Sequence, residues 1–393
     1  MRLAVVCYPT YGGSGVVATE LATALARRGH EVHVVSYEQP FRFDPSQPNL
    51  WFHQVEVSDY PLFRYRPYTL NLTNKLIALV EDHGVEVIHS HYAIPHAQAA
   101  WMAREVLQQQ RGIDVKLACT LHGTDITLVG REHSFFELTR FTIQRQDVLT
   151  VPSRWLREET ETFFHVGRDD VEVIPNFVDV ERFRPAVDQE AAKRDLGAQG
   201  RAVITHASNF RPVKRVLDVV QAFAVLRERI DAVLALVGDG PDLPQALRLA
   251  QTLGVRDDVR ALGRLERLER VLMASDVFLL PSVAESFGLA ALEAQACGCP
   301  VIGYHAGGLP EVVRDGESGL LCPVGEDLCL GTLAADLLSD RPRYQAMRLA
   351  ARRRAEEFAI GPIVDRYERV LCRLLGAGRT AGAAVAGSGR VPC

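Results

Sequence analysis

The sequence predicts an α/β protein built from two Rossmann-like βαβ domains. Three observations carry that reading. The chain of 393 residues exceeds what one hydrophobic core usually serves. Short β-branched runs alternate with amphipathic helical patterns from the first residue onward. The alternation then starts afresh after the segment IPNFVDVERFRP.

In the first series, residues 2–7, 31–36, 85–90, 115–121 and 147–151 read as strands with helices between them, the pattern of a parallel sheet with crossover helices. The second series has strands near 202–207, 232–237, 276–280 and 300–303, each followed by a helical pattern. The expected division is a first domain over 1–178 and a second over 179–359, joined near 176–198. A helix at about 360–375 should pack back on the first domain. The final stretch 376–393, GAGRTAGAAVAGSGRVPC, reads as a loose tail without chemistry.

Composition excludes several function classes. Hydrophobic residues make up 47% and charged residues 24%, and the formal charge of −5 gives no general attraction to nucleic acid or anionic membrane. The apolar runs are short, and LAVVCY leads straight into Pro9 and Gly12 without a signal-peptide pattern, so the expected location is the cytoplasm, without stable membrane insertion. Homo-oligomerisation is left open. The eight cysteines, Cys7, Cys119, Cys297, Cys299, Cys322, Cys329, Cys372 and Cys393, form no CxxC pair and lie mostly in apolar runs. They read as buried thiols rather than as a zinc site or a disulfide framework.

In open α/β sheets ligands bind at the carboxyl ends of strands, so the informative residues are those just after each strand. After the first strand comes PTYGGSGVVATELA, a glycine loop running into a helix, where backbone N–H groups at Gly13 and Gly15 can approach a phosphate. With Ala18 and Glu38 it also fits a dinucleotide fingerprint, the basis of a rival dehydrogenase reading. Against that reading, Pro9, Thr10 and Tyr11 lengthen a turn that should begin with glycine. Two further loops, HSHYAIPHA with His89, His91, Tyr92 and His96, and TLHGTD with His122, Thr124 and Asp125, cluster imidazole, phenol and hydroxyl groups. Without an HxxxH helix or an acidic partner at ligand spacing, they suit hydrogen bonding to a polar ligand better than a metal. For His89 and His91, satisfying buried backbone is an equally good reading.

The second series carries the sharper signal. THASNFRPVKRVLD places Asn209, Arg211, Lys214 and Arg215 between a strand and a helix, where cations can meet a diphosphate. Further on, DVFLLPSVAESFGLAALEAQACGCPVI reads as a buried strand, a polar turn and a helix starting near Phe287 or Gly288. The N–H groups of Ser286, Phe287, Gly288 and Leu289 would then point at an anion. A carboxylate accepts two ribose hydroxyls well and repels phosphate, so Glu293 should face the nucleoside end and Glu285 the sugar end. Glu293 lies in the apolar stretch LAALEAQACG, where an unpaired charge would cost several kcal/mol, so a partner or ligand is implied.

Glu285 and Glu293 with the intervening SFGLAAL resemble the E-x7-E motif of retaining family-4 glycosyltransferases, and IPNFVD, VGDGP, GR and AGGLPEVV fall where that family has similar segments. The resemblance extends over roughly residues 1–375. More narrowly, CYPTYGGSGVVATELA, HSHYAIPHA, LHGTDITLVG and SNFRPVKRV resemble the branch that makes N-acetylglucosaminyl-L-malate at the start of bacillithiol biosynthesis. The resemblance implies a GT-B fold whose two domains face a central cleft. It also implies retaining transfer of N-acetylglucosamine from UDP-GlcNAc to L-malate, with no cofactor and no metal. In that reading Glu293 holds the ribose, Glu285 the donor sugar's hydroxyls, His122 the sugar near its 6-position, and Lys214 with Arg211 the diphosphate. The family has an arginine five residues before the lysine; here Asn209 stands in that place, and Arg211 is the expected substitute.

Resemblance and position together nominate Tyr92, Thr124 and Arg140 for the acceptor, with the N–H of Gly13 nearby. A helix-surface cation is the ordinary reading of Arg140 in FFELTRFTIQRQD. Three classes thus stand: a family-4 glycosyltransferase of malate or of another small, lipid or polysaccharide acceptor, an NAD-type dehydrogenase, and a sugar-nucleotide binding protein without turnover.

Overall fold

A computed structural model describes residues 1–10, 12–57, 66–167 and 170–379. The chain divides into two compact units, Met1–Pro175 together with the chain from Gly361 onward, and Asn176–Ile360.

The first unit carries strands β1 (Arg2–Val6), β2 (Glu31–Ser36), β3 (Leu50–Gln54), β4 (Val87–His91), β5 (Lys116–Thr120), β6 (Val148–Val151) and β7 (Val171–Val173). Its helices are α1 (Ser14–Arg27), α2 (Tyr68–His83), α3 (Gln98–Arg111), α4 (Thr124–Thr127), α5 (His133–Ile143) and α6 (Arg154–Phe164). All seven strands run parallel in the order β3-β2-β1-β4-β5-β6-β7. The central strands are buried on both faces and therefore need continuous apolar runs such as the LAVV of β1. One face packs Ala4, Val6, Val35 and Ile88 against Leu72, Leu76 and Leu79 of α2 and Ala100, Ala103 and Leu107 of α3. Helix α2 ends at Gly84, whose φ of +61° is a left-handed cap that suits glycine. Helix α6 starts at Ser153, whose hydroxyl accepts from the N–H of Leu156 at 3.0 Å.

The second unit has strands β8 (Ala202–Ser208), β9 (Ala232–Gly238), β10 (Val259–Gly263), β11 (Val277–Leu280), β12 (Val301–Tyr304) and β13 (Gly319–Cys322), in the parallel order β10-β9-β8-β11-β12-β13. Around them lie α7 (Gln189–Arg194), α8 (Val216–Arg227), α9 (Leu243–Thr252), α10 (Leu268–Ala274), α11 (Leu289–Ala296), α12 (Asp327–Ser339) and α13 (Arg341–Glu356). Two cores cover the sheet, one around Phe223, Leu234, Leu279 and Tyr304, the other around Phe278, Phe287, Leu292 and Phe358. The unit's two ends meet where Val178 donates to Phe358 O at 3.0 Å and accepts from Ile360 N at 3.1 Å.

Helix α14 (Ile360–Arg379) returns to the first unit. There Glu368 accepts from Arg28 at 2.5 Å and pairs with His30 at 2.7 Å, while Arg366 donates to Val173 O. The tail expected from residue 376 is therefore helical as far as Arg379, and its remainder, 380–393, lies outside the described residues. No helix of the described residues is long and apolar enough to cross a membrane.

Four strands go beyond the sequence reading: β3, β7, β10 and β13. Each is the outermost strand of its sheet. An edge strand has one neighbour and partial burial, as LWFHQ in β3 and VRALG in β10 show, so its apolar signal is weak. The exception is β13, an apolar and mostly buried GLLC.

Candidate active site

In each sheet the strand order reverses beside the first strand of its series, between β1 and β4 and between β8 and β11. Such reversals splay the loops at the strands' carboxyl ends and leave a crevice there. The candidate residues after β1, β4 and β5 flank the first reversal, and those after β8 and β11 flank the second.

In the second unit, the loop after β8 begins with exposed Asn209 and passes through Phe210, a buried residue at φ +36°. Arg211 is exposed and precedes a tight turn, Pro212–Lys214, and Arg215 follows at φ +52°. Arg215 is held by Asp218 at 2.9 Å, and Asp218 also accepts from the Tyr304 hydroxyl at 2.7 Å. The loop after β11 is tied to this turn by Val283 N donating to Val213 O at 3.0 Å. Across the reversal Lys214 Nζ donates to Glu285 Oε2 at 2.7 Å, with side-chain exposures of 22% and 12%. The ammonium keeps two further N–H donors for a ligand.

Glycines let these loops close up. A Cβ at Gly240 would lie 2.0 Å from Asn209 O, and one at Gly307 would lie 2.1 Å from Glu285 O. Gly308 N in turn donates to Glu285 O at 2.7 Å. The VGDGP and AGGLPEVV segments thus fix the backbones of Asn209 and Glu285.

The expected helix start shifts slightly: Gly288, at φ +100°, caps α11, whose first residue is Leu289. Phe287 is buried against Phe358, ring centroids 5.7 Å apart, so its side chain belongs to the core and only its backbone faces the loop. Ser286 and Glu293 both interact within the chain. Glu293 is buried on α11 as its apolar surroundings suggest, but its burial does not by itself require a ligand. Beneath the loops the neutral ring of His206 donates from Nδ1 to Leu279 O and accepts at Nε2 from the Ser208 hydroxyl, both at 2.8 Å. Burial, with a smaller contribution from Lys214, lowers its pKa to about 4, so it is neutral.

In the first unit the side chains after three adjacent strands meet. Tyr8, after β1, stands 5.3 Å from Tyr92 and 4.4 Å from His96, ring centre to ring centre. Tyr92 stands 5.4 Å from His122. His91 and His122 are joined by a hydrogen bond of 2.8 Å, Nδ1 to Nε2, and His96 bonds His91 O at 2.5 Å. His89 pairs with the Thr120 hydroxyl at 2.7 Å. His89 and His91 therefore meet side chains rather than the buried backbone the sequence also allowed. Burial lowers the pKa of His89 and His96 to about 4 and of His122 to about 3, and holds His91 well below the usual range. All four are neutral hydrogen-bonding groups near neutral pH. His91 Nε2, His96 Nε2 and the Tyr68 hydroxyl are buried without a partner among the described residues, which suits a polar molecule in this crevice.

Asp125, named in the sequence only as a member of the TLHGTD cluster, organises this crevice. Its buried carboxylate accepts from Ala93 N at 3.1 Å, His122 N at 3.1 Å and Gly123 N at 2.9 Å, clamping the β4 and β5 loops together. Burial raises its pKa to about 6 against the pull of these N–H groups. Tyr92 has φ +90°, an uncommon conformation for a side-chain-bearing residue, of the kind stored at functional sites. Tyr8 and Tyr68 escaped the sequence reading, although Tyr8 follows β1 directly and position alone could have found it.

In the glycine loop, Gly13 is at φ +59°, and a Cβ at Gly15 would lie 2.5 Å from Tyr8 O and 2.6 Å from Thr10 Oγ1. Gly15 thus lets the loop pack on itself before α1, while Tyr11 lies outside the described residues. Thr124 opens α4, half-buried. Arg140, on α5, bonds Glu137 at 2.6 Å and lies over the Phe136 ring at 5.8 Å. These are the partners of a helix-surface cation.

Two family models match the chain. Glycosyltransferase Family 4 matches residues 11–182, and Glycosyl transferases group 1 matches residues 188–354. An N-acetyl-alpha-D-glucosaminyl L-malate synthase of Bacillus anthracis is 41% identical over 372 residues, covering 94% of this chain and 96% of that protein. The chain belongs to glycosyltransferase family 4. A D-inositol 3-phosphate glycosyltransferase of Nocardia farcinica is 30% identical over 376 residues, with 88% and 82% covered. Among solved structures, Anabaena HepE in complex with UDP and glucose superposes with a TM-score of 0.81 at 17% identity, covering 95% of this chain and 99% of that one. Sucrose-phosphate synthase of Thermosynechococcus elongatus gives 0.80 at 21%, with 96% and 100% covered. The two parallel sheets and these likenesses make the fold GT-B, and family membership makes the chain a glycosyltransferase. The dehydrogenase and the binding protein without turnover are set aside.

Proposed function

We propose that this glycosyltransferase moves N-acetylglucosamine from UDP-GlcNAc to the hydroxyl of L-malate with retention of configuration. The observation that carries the reading is the 41% identity, across 94% of this chain, to an N-acetyl-alpha-D-glucosaminyl L-malate synthase.

The chemistry of the two crevices supports a division of labour. On the second unit, Lys214 and Arg211 supply positive charge for the donor's diphosphate, with the N–H groups at Gly288 and Leu289 beside them. Glu285, held by Lys214, accepts hydroxyls of the sugar, and Glu293 accepts those of the ribose. As the bond from the anomeric carbon to the leaving phosphate breaks, negative charge builds on UDP, and fixed donors stabilise it without reorganising. The malate hydroxyl attacks the same face and its proton passes to the departing phosphate oxygen, so the reaction needs neither an enzymatic nucleophile nor a cofactor. These fixed cations take the place of a metal ion. On the first unit, neutral His122 donates to or accepts from the sugar. Tyr92, Thr124 and the N–H of Gly13 offer donors to the acceptor's carboxylates, and Arg140, once released from Glu137, offers a cation.

The experiment is a panel of sugar nucleotides and acceptors, followed by UDP release and product mass. The expected result is a product of N-acetylglucosamine plus malate, with poor reaction of glycerol and lactate, which leave carboxylate-binding donors unpaired. The 30%-identical D-inositol 3-phosphate glycosyltransferase makes inositol phosphate the necessary competitor. Preference for it would overturn the malate reading and leave the transferase.

A further inference from the structure

Away from the crevice, three histidines converge that the transfer reaction does not use. His33 lies on β2, His53 on β3 and His83 at the end of α2. Strand register puts His33 opposite Trp51 and Val35 opposite His53, so with a side-chain period of two, His33, Trp51 and His53 share one face. That is the face α2 covers, and α2 brings His83 to it. The ring centres are 5.0 Å apart for His33 and His53, 4.6 Å for His33 and His83, and 5.6 Å for His53 and His83.

One ring nitrogen from each histidine lies within 4.8 Å of the other two, the grouping of this kind among the described residues. His33 Nδ1 and His53 Nε2 are 2.9 Å apart. Two imidazole nitrogens on one tetrahedral zinc ion, each at 2.0–2.1 Å, would be separated by about 3.3 Å. Small rotations of His53 and His83, the half-buried and exposed members, close the remaining gap, while His33 is fixed by burial and by the Trp51 indole stacked on it at 5.2 Å. One of the two bonded inner nitrogens, His33 Nδ1 or His53 Nε2, carries the proton between them, so binding requires that ring to take its other tautomer; a neutral imidazole then offers its inner lone pair with no net loss of a proton. Exposure at His83 leaves an entry path and room for water as the fourth ligand.

We propose that His33, His53 and His83 form a site for a divalent transition-metal ion of the zinc class, which clamps edge strand β3 and the end of α2 to β2. Three nitrogen donors without a carboxylate exclude magnesium and calcium, which prefer oxygen. The site is structural and shares no residue with the proposed transfer chemistry. An edge strand with a single neighbour gains most from such a tie.

The test uses the full-length chain without a histidine tag, stripped with EDTA and titrated with ZnCl₂ by calorimetry. The expected result is one equivalent bound, a rise of the thermal midpoint with zinc, and loss of both in His83→Ala. Because His83 is exposed, that variant should keep the wild-type circular dichroism, and His53→Gln provides a second, independent loss. Substitution with Co²⁺ should give visible bands of a nitrogen and oxygen site. Absence of stoichiometric zinc binding, unchanged binding in His83→Ala, or a thiolate charge-transfer band placing the ion on cysteines would each overturn the proposal. Transfer activity measured in EDTA is a separate readout, so failure of the metal site and failure of the transferase reading are distinguishable.

Discussion

Lys214→Ala removes a charge that is paired with Glu285 in the structure and assigned to the leaving diphosphate in the proposed reaction. Glu285 lies 2.7 Å away, in a pair whose side chains are 22% and 12% exposed. A fully exposed pair contributes up to about 1 kcal/mol, and breaking a buried one costs about 3–5 kcal/mol. This intermediate pair should cost about 1–3 kcal/mol of stability, a fall in thermal midpoint of roughly 2–10 °C for a unit of this size. The second partner is the charge that develops on the leaving diphosphate. Removing one fixed donor from such a site typically costs about 2.7–4 kcal/mol of activation energy, or about 10²–10³ in kcat. The assay is steady-state UDP release with donor varied at saturating acceptor, on Lys214→Ala, Lys214→Arg and the double variant with Glu285→Gln. Lys214→Arg should recover part of kcat because charge is restored. The double variant should recover stability without recovering kcat, because the orphaned carboxylate is gone but the cation is still missing. A loss confined to donor KM, with kcat unchanged, would refute the reasoning, since it would show uniform binding rather than transition-state stabilisation.

The other predictions follow from the same geometry. Glu293→Ala should weaken UDP binding by about 10- to 150-fold, the equivalent of one charge-assisted hydrogen bond of about 1.5–3 kcal/mol, and an unchanged affinity in calorimetry would remove Glu293 from the ribose. Transfer should persist in EDTA because the proposed mechanism meets the diphosphate with fixed cations; abolition by chelator with recovery on adding Mg²⁺ or Mn²⁺ would contradict this. Stability should fall as pH drops below about 6.5, because His89, His96, His122 and His206 have folded pKa values of about 3–4 and the unfolded chain binds protons first. Each of these buried groups contributes of order 3 kcal/mol between its unfolded and folded pKa. Asp125, raised to about 6, works in the opposite direction between about 4 and 6 and only partly offsets them. Urea midpoints measured from pH 7.5 down to 4.5 would show this slope; a flat profile would contradict the burial of the histidines.

The division between what could and could not be read from the chain is physical. Central strands were legible because burial on both faces demands unbroken apolar runs such as LAVV and AVLALVG. The edge strands β3, β7 and β10 were not, because their single neighbour leaves one side to solvent and mixed residues suffice, whereas β13, an apolar and mostly buried GLLC, carried a signal that the reading passed over. The loops after β1, β4, β5, β8 and β11 could be found from their position after strands. Their partners could not: Lys214 and Glu285 are 71 residues apart, and only the closed sheet places β8 beside β11. Asp125 was visible as a polar residue in TLHGTD, but its role comes from three backbone N–H groups that carry no side-chain signature. His33, His53 and His83 come from three different elements at no recurring spacing, so only strand register and the end of α2 unite them.

The acceptor is the centre of the account, and competition in a single vessel tests it most directly. The enzyme is given UDP-GlcNAc with equal concentrations of L-malate and D-inositol 3-phosphate, and the ratio of the two products, followed by mass, gives the ratio of kcat/KM values. Both acceptors are anions, so general charge attraction cancels and the comparison reads the proposed acceptor groups, Tyr92, Thr124, Arg140 and the N–H of Gly13. The account predicts N-acetylglucosaminyl malate in large excess, in the α configuration. Excess of the inositol product, or a β-linked malate, would contradict it.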